Sequence, residues 1–597
     1  MNKLLTLLGI VLLTISCNQT KIDNPEISLE ELNDHISYLA SDSLKGRKPG
    51  TPEGRLAAEY IRDQFSDFGF KLLGDDGFQY FDVITRVVAG PNNSLSSGEL
   101  KATIDKDFRP FSFSANASLN AEVAFCGFGF EIDKEGNSWL DYEGIDVNGK
   151  WVLLLRADPE LDNDESVFIP FAKDRDKVLT AKDKGAAGVL FVSGVEYNKK
   201  DELAKLVVDQ LGTNSGLPVF HITRSFANEI LKKSGQTIEN LESEIIKLKE
   251  PIPFDCGVSV EGTAEVEYEK VNTQNVIGFI KGSDPKLNDQ IVLIGGHYDH
   301  LGLGGPNSSS RVPDEVGVHY GADDNASGVA SVIEIAEKLA SSKSSMKRSV
   351  VVMAFAAEEM GLLGSKYFTA NPIVDLEKIV AVINIDMVGR LKETNELMVG
   401  GTGTAVESEV ILSSLVEDTG LKLSMSPNGF GPSDHASFYM EEIPVFFFST
   451  GAHEDYHTPK DDIDAINFEG LKLLDDFVYS LSENLINRDS LLTFQEAGPM
   501  QQTANVRRRS GVTLGIMPNF TSTENNGLGV DGVTPGKPAY LGGIKKGDVI
   551  TAIDGKEIKN IYEYMARMSK LEFGQTVTID ILREGEKQVL LIQLDDK

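Results

Sequence analysis

The sequence contains little cysteine, fewer basic than acidic residues, and no long apolar run after its first residues. Three cysteines in 597 residues are too few for a disulfide framework. Lys and Arg number 57 against 91 Asp and Glu, which leaves a formal net charge of −34. A field of that sign repels phosphate backbones and therefore argues against nucleic acid as a partner. No later apolar run reaches membrane-spanning length, so the sequence predicts globular domains.

The length and composition predict several folded domains. A chain of 597 residues exceeds the roughly 250–300 residues that a single hydrophobic core accommodates. Its apolar fraction of 41% and charged fraction of 25% are those of ordinary globular proteins. The polar stretch at residues 491–507 indicates a linker, and strand and turn signals at residues 508–597 indicate a small terminal domain.

The N-terminus has the layout of an export signal. Lys3 precedes a short apolar run that ends in Ser16 and Cys17, and the run is too short to span a bilayer. Residues 1–17 resemble a bacterial lipoprotein signal, which implies a lipid on Cys17; a plain cleaved signal peptide is the alternative. We therefore predict an exported protein of the bacterial cell envelope, in contact with the membrane only through that lipid.

From Val271 onward, buried apolar runs alternate with amphipathic helical patterns. The runs are VIGFI, IVLIGG, SVVVMAFAA, IVAVINID and IPVFFFST. Strands that are apolar on both faces and separated by helices predict a mainly parallel sheet covered on both sides, which is the α/β class. In such sheets the chemistry gathers beyond the carboxyl ends of the strands.

Histidine and acidic residues cluster directly after these predicted strands. Six of the eight histidines fall between positions 297 and 457. The motifs that hold them and the neighbouring acids are GGHYDH, GADDNASG, AFAAEEMG, NIDMVGR and the pair SDHASF and DYHTPKDD. Zinc accepts imidazole and carboxylate ligands, and two metal ions that share a carboxylate can clamp a water against a carbonyl. One such motif is weak evidence, but five at successive strand ends indicate a hydrolytic metal site.

With these motifs, residues 271 to about 487 resemble the zinc metallo-aminopeptidase family of bacterial leucyl and Streptomyces-type enzymes, relatives of glutamate carboxypeptidase II and the glutaminyl cyclases. The resemblance implies the zinc-exopeptidase fold, a mainly parallel mixed sheet with helices on both faces. It also implies two Zn²⁺ ions per chain. The implied ligands are His297 and Asp386 for one ion, Glu359 and His457 for the other, and Asp324 for both.

The same resemblance implies three further roles. Glu358 would be the general base, Asp299 would orient His297 through its second ring nitrogen, and Tyr456 would help to stabilise the tetrahedral oxyanion. Other polar residues of the motifs match no ligand position. We expect Asp434 and His435 to be structural or to support the ligands without touching the metal. We expect the remaining histidines of this region to be surface or loop residues: His300, His319 and His453.

The activity that the resemblance implies is hydrolysis of peptide bonds at the N-termini of peptides or proteins. A single-zinc, glutaminyl cyclase-like acyltransferase is one alternative, although the cyclases lack the histidine that is present here as His297. A glutamate carboxypeptidase-like enzyme is another. An inactive binding scaffold is the third, and the presence of Glu358 and of every expected ligand argues against it.

The flanking segments resemble accessory modules of such enzymes. Residues 18–91 resemble the N-terminal part of the peptidase domain, 92–265 a β-rich protease-associated insert, 266–490 the catalytic domain, and 508–597 a PDZ domain. The PDZ resemblance implies a C-terminal peptide ligand at the loop of Thr513, Leu514, Gly515 and Ile516, unless the domain only packs on the peptidase. Cys126 and Cys256 could pair with each other or be buried separately.

Overall fold

A computed structural model describes most of the chain. The described residues are 24–134, 137–163, 166–208, 214–306, 308–498, 512–518, 527–534, 536–558, 564, 568, 571 and 573–594. The predicted signal at residues 1–17, with Cys17, and most of the predicted linker lie outside them. No helix within the described residues is both long and apolar enough to cross a bilayer.

The described residues form two compact units. The first holds those of Met1–Phe81 and Thr273–Gln501, and the second holds those of Asp82–Asn272, Gln502–Pro518 and Asn525–Lys597.

The first unit is built on a nine-stranded mixed sheet, two of whose strands also include residues of the second unit. In chain order its strands are β1 Lys71–Leu72, β2 Phe78–Ala89, β3 Val266–Ile280, β4 Ile291–His297, β5 Ser349–Phe355, β6 Ile379–Ile385, β7 Glu396–Gly400, β8 Lys422–Met425 and β9 Val445–Ser449. Their spatial order is β1-β3-β5-β4-β6-β9-β7-β8, and β2 pairs with β3. The central strands β5, β4, β6 and β9 run parallel to one another. Antiparallel partners flank them, since β3 opposes β5 and β7 opposes β9.

The parallel strands are those that the sequence predicts as buried on both faces. Every residue of β4, β5 and β9 is buried, which confirms the predicted α/β class. The helices of this unit are α1 Leu29–Leu39, α2 Pro52–Asp67, α3 Gly328–Ser341, α4 Leu363–Ala370, α5 Ser408–Val416, α6 His435–Tyr439 and α7 Phe468–Asn487. Because parallel strands end at the same edge of a sheet, the residues that follow β4, β5, β6 and β9 are brought together there.

Capping residues mark where the N-terminal helices begin. Ser28 caps α1, and its side chain accepts a hydrogen bond from the Glu31 N–H. Thr51 caps α2 by accepting from the Gly54 N–H at 3.1 Å, while Pro52 stands in the first turn. The segment between these two helices contains Gly46 and Gly50.

The second unit contains the β-rich region that precedes β3. Its eight-stranded sheet has the order Leu100–Lys101, Ser94–Ser97, Phe254–Ala264, Ala117–Phe125, Trp151–Leu155, Gly188–Val192, Val219–Ile222 and Phe108–Pro110. A two-stranded ribbon joins Glu131–Lys134 to Asn137–Leu140, and the helices are Asp174–Asp183, Arg224–Leu231 and Ile238–Leu248. Cys126 and Cys256 are both buried and unpaired, so of the two expectations for them burial without a disulfide is correct.

The C-terminal region of this unit has a sheet of its own. Its six strands are Ile516–Pro518, Leu528–Val533, Val549–Ile553, Lys556–Glu557, Thr576–Arg583 and Glu586–Gln593, and the short helix Pro538–Leu541 accompanies them. Apolar residues from several of these strands, including Val530, Ile550 and Ile579, form a separate core.

Candidate metal centre

Five predicted ligand side chains converge beyond the carboxyl edge of the central sheet. His297 is the last residue of β4, Asp386 directly follows β6, and Glu359 lies four residues after the end of β5. His457 lies in the loop after β9, and Asp324 lies in an irregular turn just before α3. The sheet therefore gathers residues that are up to 160 positions apart in the sequence.

The ligand atoms form two groups that share Asp324. In the first group, His297 Nε2 is 3.2 Å from Asp386 Oδ1 and 3.3 Å from Asp324 Oδ1. In the second group, His457 Nε2 is 3.0 Å from Glu359 Oε2 and 3.1 Å from Asp324 Oδ2. Each oxygen of the Asp324 carboxylate thus faces a different histidine–carboxylate pair, which is the arrangement of a bridging ligand.

The chemistry of these groups fits zinc. Imidazole nitrogen and carboxylate oxygen are its ordinary ligands at about 2.0–2.2 Å, and ligands at that range of a shared ion stand roughly 3 Å or slightly more apart. Asp324 Oδ2 and His457 Nε2 are buried and make no hydrogen bond of good geometry within the described residues. Both atoms are therefore free to serve as ligands.

Glu358 and Asp299 are tied to each other beside the first group. The Glu358 N–H donates to Asp299 Oδ1 at 3.0 Å, and Glu358 Oε2 is 4.0 Å from His297 Nε2. The His297 ring reaches Asp299 through Nδ1, which is 3.2 Å from the backbone carbonyl oxygen and 3.8 Å from the carboxylate. Burial raises the pKa of Asp299 to about 7. Asp299 thus contacts both His297 and the residue predicted to be the base.

Tyr456 lies against the second group. Its ring stacks on the His457 imidazole, with 3.8 Å between the centroids and 21° between the planes. Burial, reinforced by the Asp324 and Glu359 carboxylates, holds the pKa of Tyr456 well above its ordinary value. The hydroxyl therefore keeps its proton and can act as a hydrogen-bond donor.

The three other histidines of this region lie in loops, as expected, but two of them are not at the surface. His300 is buried, and its Nδ1 is 2.7 Å from Glu359 Oε1. His319 is also buried and hydrogen-bonds Ser310 Oγ at 2.8 Å. The reason is that the loops after the strands fold over the site, and burial in an irregular loop leaves no periodic signal in the sequence. The spacing H-Y-D-H, which continues directly from the end of β4, is the one signal that points to His300.

His453 belongs to a second polar cluster that supports the turn before α3. Its Nε2 is 3.2 Å from Asp323 Oδ2. The buried Asp461 carboxylate accepts hydrogen bonds from the Asp323 and Asp324 N–H groups at 3.1 and 3.0 Å. Asn325, joined to Asp324 by a cis peptide bond, donates to the Ile385 carbonyl at 3.0 Å. Sequence reasoning did not identify Asp461 or Asn325, whose contacts fix the backbone of the shared carboxylate.

Asp434 and His435 are buried close to the metal centre without joining either ligand group. The His435 ring stacks on Phe447 with 4.4 Å between centroids, and burial lowers the pKa of His435 to about 3. Burial raises the pKa of Asp434 to about 6. A neutral, stacked imidazole is consistent with the structural role expected for this pair.

The facing carboxylates control the charge of the two ligand histidines. Burial lowers the pKa of His297, but Asp386 and Glu358 outweigh it and hold that pKa well above its ordinary value. His457 shows the same balance, with Glu359 and Asp324 raising its pKa well above the ordinary value. Burial acts in the opposite direction on Glu358: together with the neighbouring Glu359 it raises the pKa and favours the protonated carboxyl.

We expect zinc binding to the metal-free protein to release at least about two protons per chain near neutral pH, one from each predicted ligand histidine. Both imidazoles have raised pKa values without metal, whereas zinc binds the neutral ring. Apparent zinc affinity should therefore rise with pH until these pKa values are passed. Titration calorimetry at one pH in buffers of different ionisation enthalpy measures the count. His457→Ala should release about one proton fewer, and a count near zero in the parent protein would contradict the expectation.

Comparison with known proteins assigns three regions of the chain. Residues 275–482 match the model for peptidase family M28, residues 114–230 match the PA domain, and residues 512–594 match the PDZ domain. Aminopeptidase YwaD of Bacillus subtilis is 29% identical over 509 residues, which cover 80% of this chain and 93% of that protein. Probable leucine aminopeptidase 2 of Aspergillus oryzae is 28% identical over 354 residues, 58% of each chain. The solved aminopeptidase from Aneurinibacillus sp. strain AM-1 aligns at 23% identity with a TM-score of 0.44, covering 80% of this chain and 96% of that one.

Proposed function

We propose that this chain, a member of peptidase family M28 with a PA domain and a C-terminal PDZ domain, is a di-zinc aminopeptidase that hydrolyses peptide bonds at N-termini. The observation that carries the proposal is the Asp324 carboxylate, whose two oxygens face His297 and His457 at 3.3 and 3.1 Å. The name of the relative that aligns over 80% of the chain, an aminopeptidase, supports the same reaction.

In this proposal the two ligand groups hold one Zn²⁺ each. His297 and Asp386 would bind the first ion, Glu359 and His457 the second, and Asp324 both. When bound, such a pair lowers the pKa of a shared water and polarises the substrate carbonyl. Each group supplies three protein ligands once Asp324 is counted, which leaves positions for water and substrate.

Glu358 would be the proton carrier of the reaction. Its side chain is only 12% exposed, and its backbone is anchored by the hydrogen bond to Asp299. Burial raises the pKa of Glu358 in the metal-free protein. The positive charge of bound zinc would lower that pKa again, so that the carboxylate is ionised and can accept a proton. Glu358 would take a proton from the attacking water and pass it to the leaving amine. The Tyr456 hydroxyl would donate a hydrogen bond to the oxyanion.

We expect the purified protein to release the N-terminal amino acid from peptides and aminoacyl-anilides with a free amino group. A zinc chelator should abolish the release, and added Zn²⁺ should restore it, because activation of the water and polarisation of the carbonyl would depend on the ions that His297, Asp324 and His457 help to hold. The assay compares each free substrate with its N-acetylated form by chromatography of the products. Release of a C-terminal residue from the blocked peptide would favour the carboxypeptidase alternative. Cyclisation of N-terminal glutamine without hydrolysis would favour the cyclase.

We also propose a peptide ligand for the terminal domain and a location at the cell envelope for the enzyme. The PDZ loop would bind a C-terminal peptide as an added strand next to Ile516–Pro518. In this loop Leu514 is buried, and the Gly515 N–H donates to Thr513 Oγ1 at 3.1 Å. A lipid on Cys17 would hold the enzyme at the bacterial cell envelope.

A further inference from the structure

Arg47 lies in the loop between α1 and α2, and its guanidinium is completely buried among backbone carbonyls. Nε donates to the Tyr298 oxygen at 2.7 Å, and Nη1 donates to those of Leu39 at 2.9 Å and Tyr320 at 2.6 Å. Nη2 donates to Gly321 at 2.8 Å and to Asp324 at 3.4 Å. Since a guanidinium has five N–H groups, its donor capacity is fully used. Arg47 forms no ion pair within the described residues.

Four of these five carbonyls belong to the two backbone segments that carry His297 and Asp324. Tyr298 stands between His297 and Asp299 in the loop after β4. Residues 320, 321 and 324 belong to the turn before α3, and Asp324 itself supplies the shared carboxylate. One side chain from the N-terminal segment therefore joins the backbone of the first ligand to the backbone of the bridging ligand.

The backbone around Arg47 is shaped for this position. Lys45, Gly46 and Arg47 have successive φ values of 41°, 71° and 38°, a region that residues other than glycine seldom adopt. A side chain at Gly46 would come within 2.4 Å of the His319 carbonyl oxygen and 2.6 Å of the Gly302 carbonyl oxygen. The Gly302 N–H also donates to the Gly46 oxygen at 3.1 Å. The loop is thus inserted against the segments that lead into and out of the metal centre.

The charge of Arg47 is retained in this environment. Burial lowers its pKa to about 10, and the Asp324, Asp299 and Asp461 carboxylates act in the opposite direction. The guanidinium therefore stays protonated at neutral pH, and it offsets part of the negative charge that the ligand carboxylates bring together.

We propose that Arg47 is a positioning residue of the metal centre, which sets the distance between His297 and Asp324 by holding the backbone of both segments. The inference rests on the proposed zinc function. Four of the five bonded carbonyls belong to loops that carry predicted ligands, and only Leu39 belongs to a helix. The N-terminal segment would therefore position metal ligands in addition to its packing.

Arg348 provides a matched control for the general effect of losing a buried arginine. It is 1% exposed, and it donates to the Leu485 carbonyl at 3.0 Å and to Gln290 Oε1 at 2.8 Å. It directly precedes β5, at the amino end of the strand and thus at the opposite edge of the sheet from the ligands. Arg47→Met and Arg348→Met remove the same charged group from equally buried places, so their comparison separates positioning from general stability.

The test measures zinc dissociation constants by competition with a chromophoric chelator, alongside the thermal midpoints of the same proteins. We expect Arg47→Met to weaken zinc binding about 10- to 100-fold, the usual effect of losing a residue that orients metal ligands. Arg348→Met should lower the thermal midpoint comparably and leave zinc affinity unchanged. Equal zinc affinity in Arg47→Met and the parent would overturn the inference, as would equal losses in both variants.

If Arg47→Met does not fold, Arg47→Lys keeps the charge but cannot span five carbonyls from one nitrogen. We then expect Arg47→Lys also to weaken zinc binding, and parental zinc affinity in Arg47→Lys overturns the inference.

If the parent protein itself binds no zinc, the proposed function fails and the inference with it. If the parent binds zinc and Arg47→Met binds it equally well, only the inference fails.

Discussion

Replacing Glu358 with glutamine is expected to lower kcat by about 10²- to 10⁴-fold, the range that general acid–base catalysis contributes. Glutamine keeps the size of the side chain but cannot accept a proton from water. The change should leave the metals in place, because Glu358 is not among the predicted ligands and its Oε2 is 4.0 Å from the predicted ligand atom His297 Nε2. Steady-state kinetics on an aminoacyl-anilide, with zinc counted by mass spectrometry on the same sample, measures both quantities.

The adjacent residue provides the control for this experiment. Glu359 Oε2 is 3.0 Å from His457 Nε2, and Glu359 Oε1 is 2.7 Å from His300 Nδ1. Glu359→Gln should therefore lose zinc, whereas Glu358→Gln should lose activity with its zinc retained. Parental activity in Glu358→Gln would refute the assignment of the base. Zinc loss in Glu358→Gln would instead identify that residue as a ligand.

Replacing Asp324 with asparagine is expected to empty the metal centre and reduce activity by at least about 10³-fold, since metal polarisation contributes several kcal/mol. A carboxylate can give one oxygen to each ligand group, while an amide has a single oxygen and a nitrogen that does not ligate. The loss also leaves His297 and His457 without the anion they share. Zinc per chain after exhaustive dialysis is the measurement, and the parent should retain two ions.

Asp323→Asn is the matched control for the bridging carboxylate. Asp323 Oδ1 accepts the Gly389 N–H at 2.6 Å, and asparagine keeps an oxygen at that position. We expect this variant to bind two zinc ions. A parent protein with one zinc would favour the cyclase alternative, and two ions retained by Asp324→Asn would show that the bridge lies elsewhere.

Much of the first unit is predictable because its strands have an unusual composition. Strands β4, β5 and β9 are apolar at nearly every position, which identifies them without any structural information. Histidine and acidic motifs cluster after those strands, and the resemblance to the zinc aminopeptidases implies which of their residues are ligands. Family models confirm the resemblance of the catalytic, inserted and terminal regions to M28, PA and PDZ domains.

The loops were less predictable. His300 and His319 are both buried. The sequence around His319 does not distinguish a buried residue from an exposed one, and at His300 only the spacing H-Y-D-H points to the site. Asp461 reads as one acid in the acidic run KDDIDA, yet it alone accepts the N–H groups of Asp323 and Asp324. Such an acidic run ordinarily predicts a solvent-exposed surface. Only the tertiary structure shows that the Asp461 carboxylate is buried against the turn before α3.

The sequence by itself determined the types of chemistry available: which strands are buried, which imidazoles and carboxylates follow them, and hence a metal-dependent hydrolase on an α/β sheet. Tertiary structure decided the partnerships, such as Arg47 with a carbonyl 251 positions away and Asp324 between two histidines. The physical reason is that a strand buried on both faces is recorded locally, as a continuous apolar run in the sequence. Contacts between loops depend instead on where the sheet places their ends, and no local pattern records that placement.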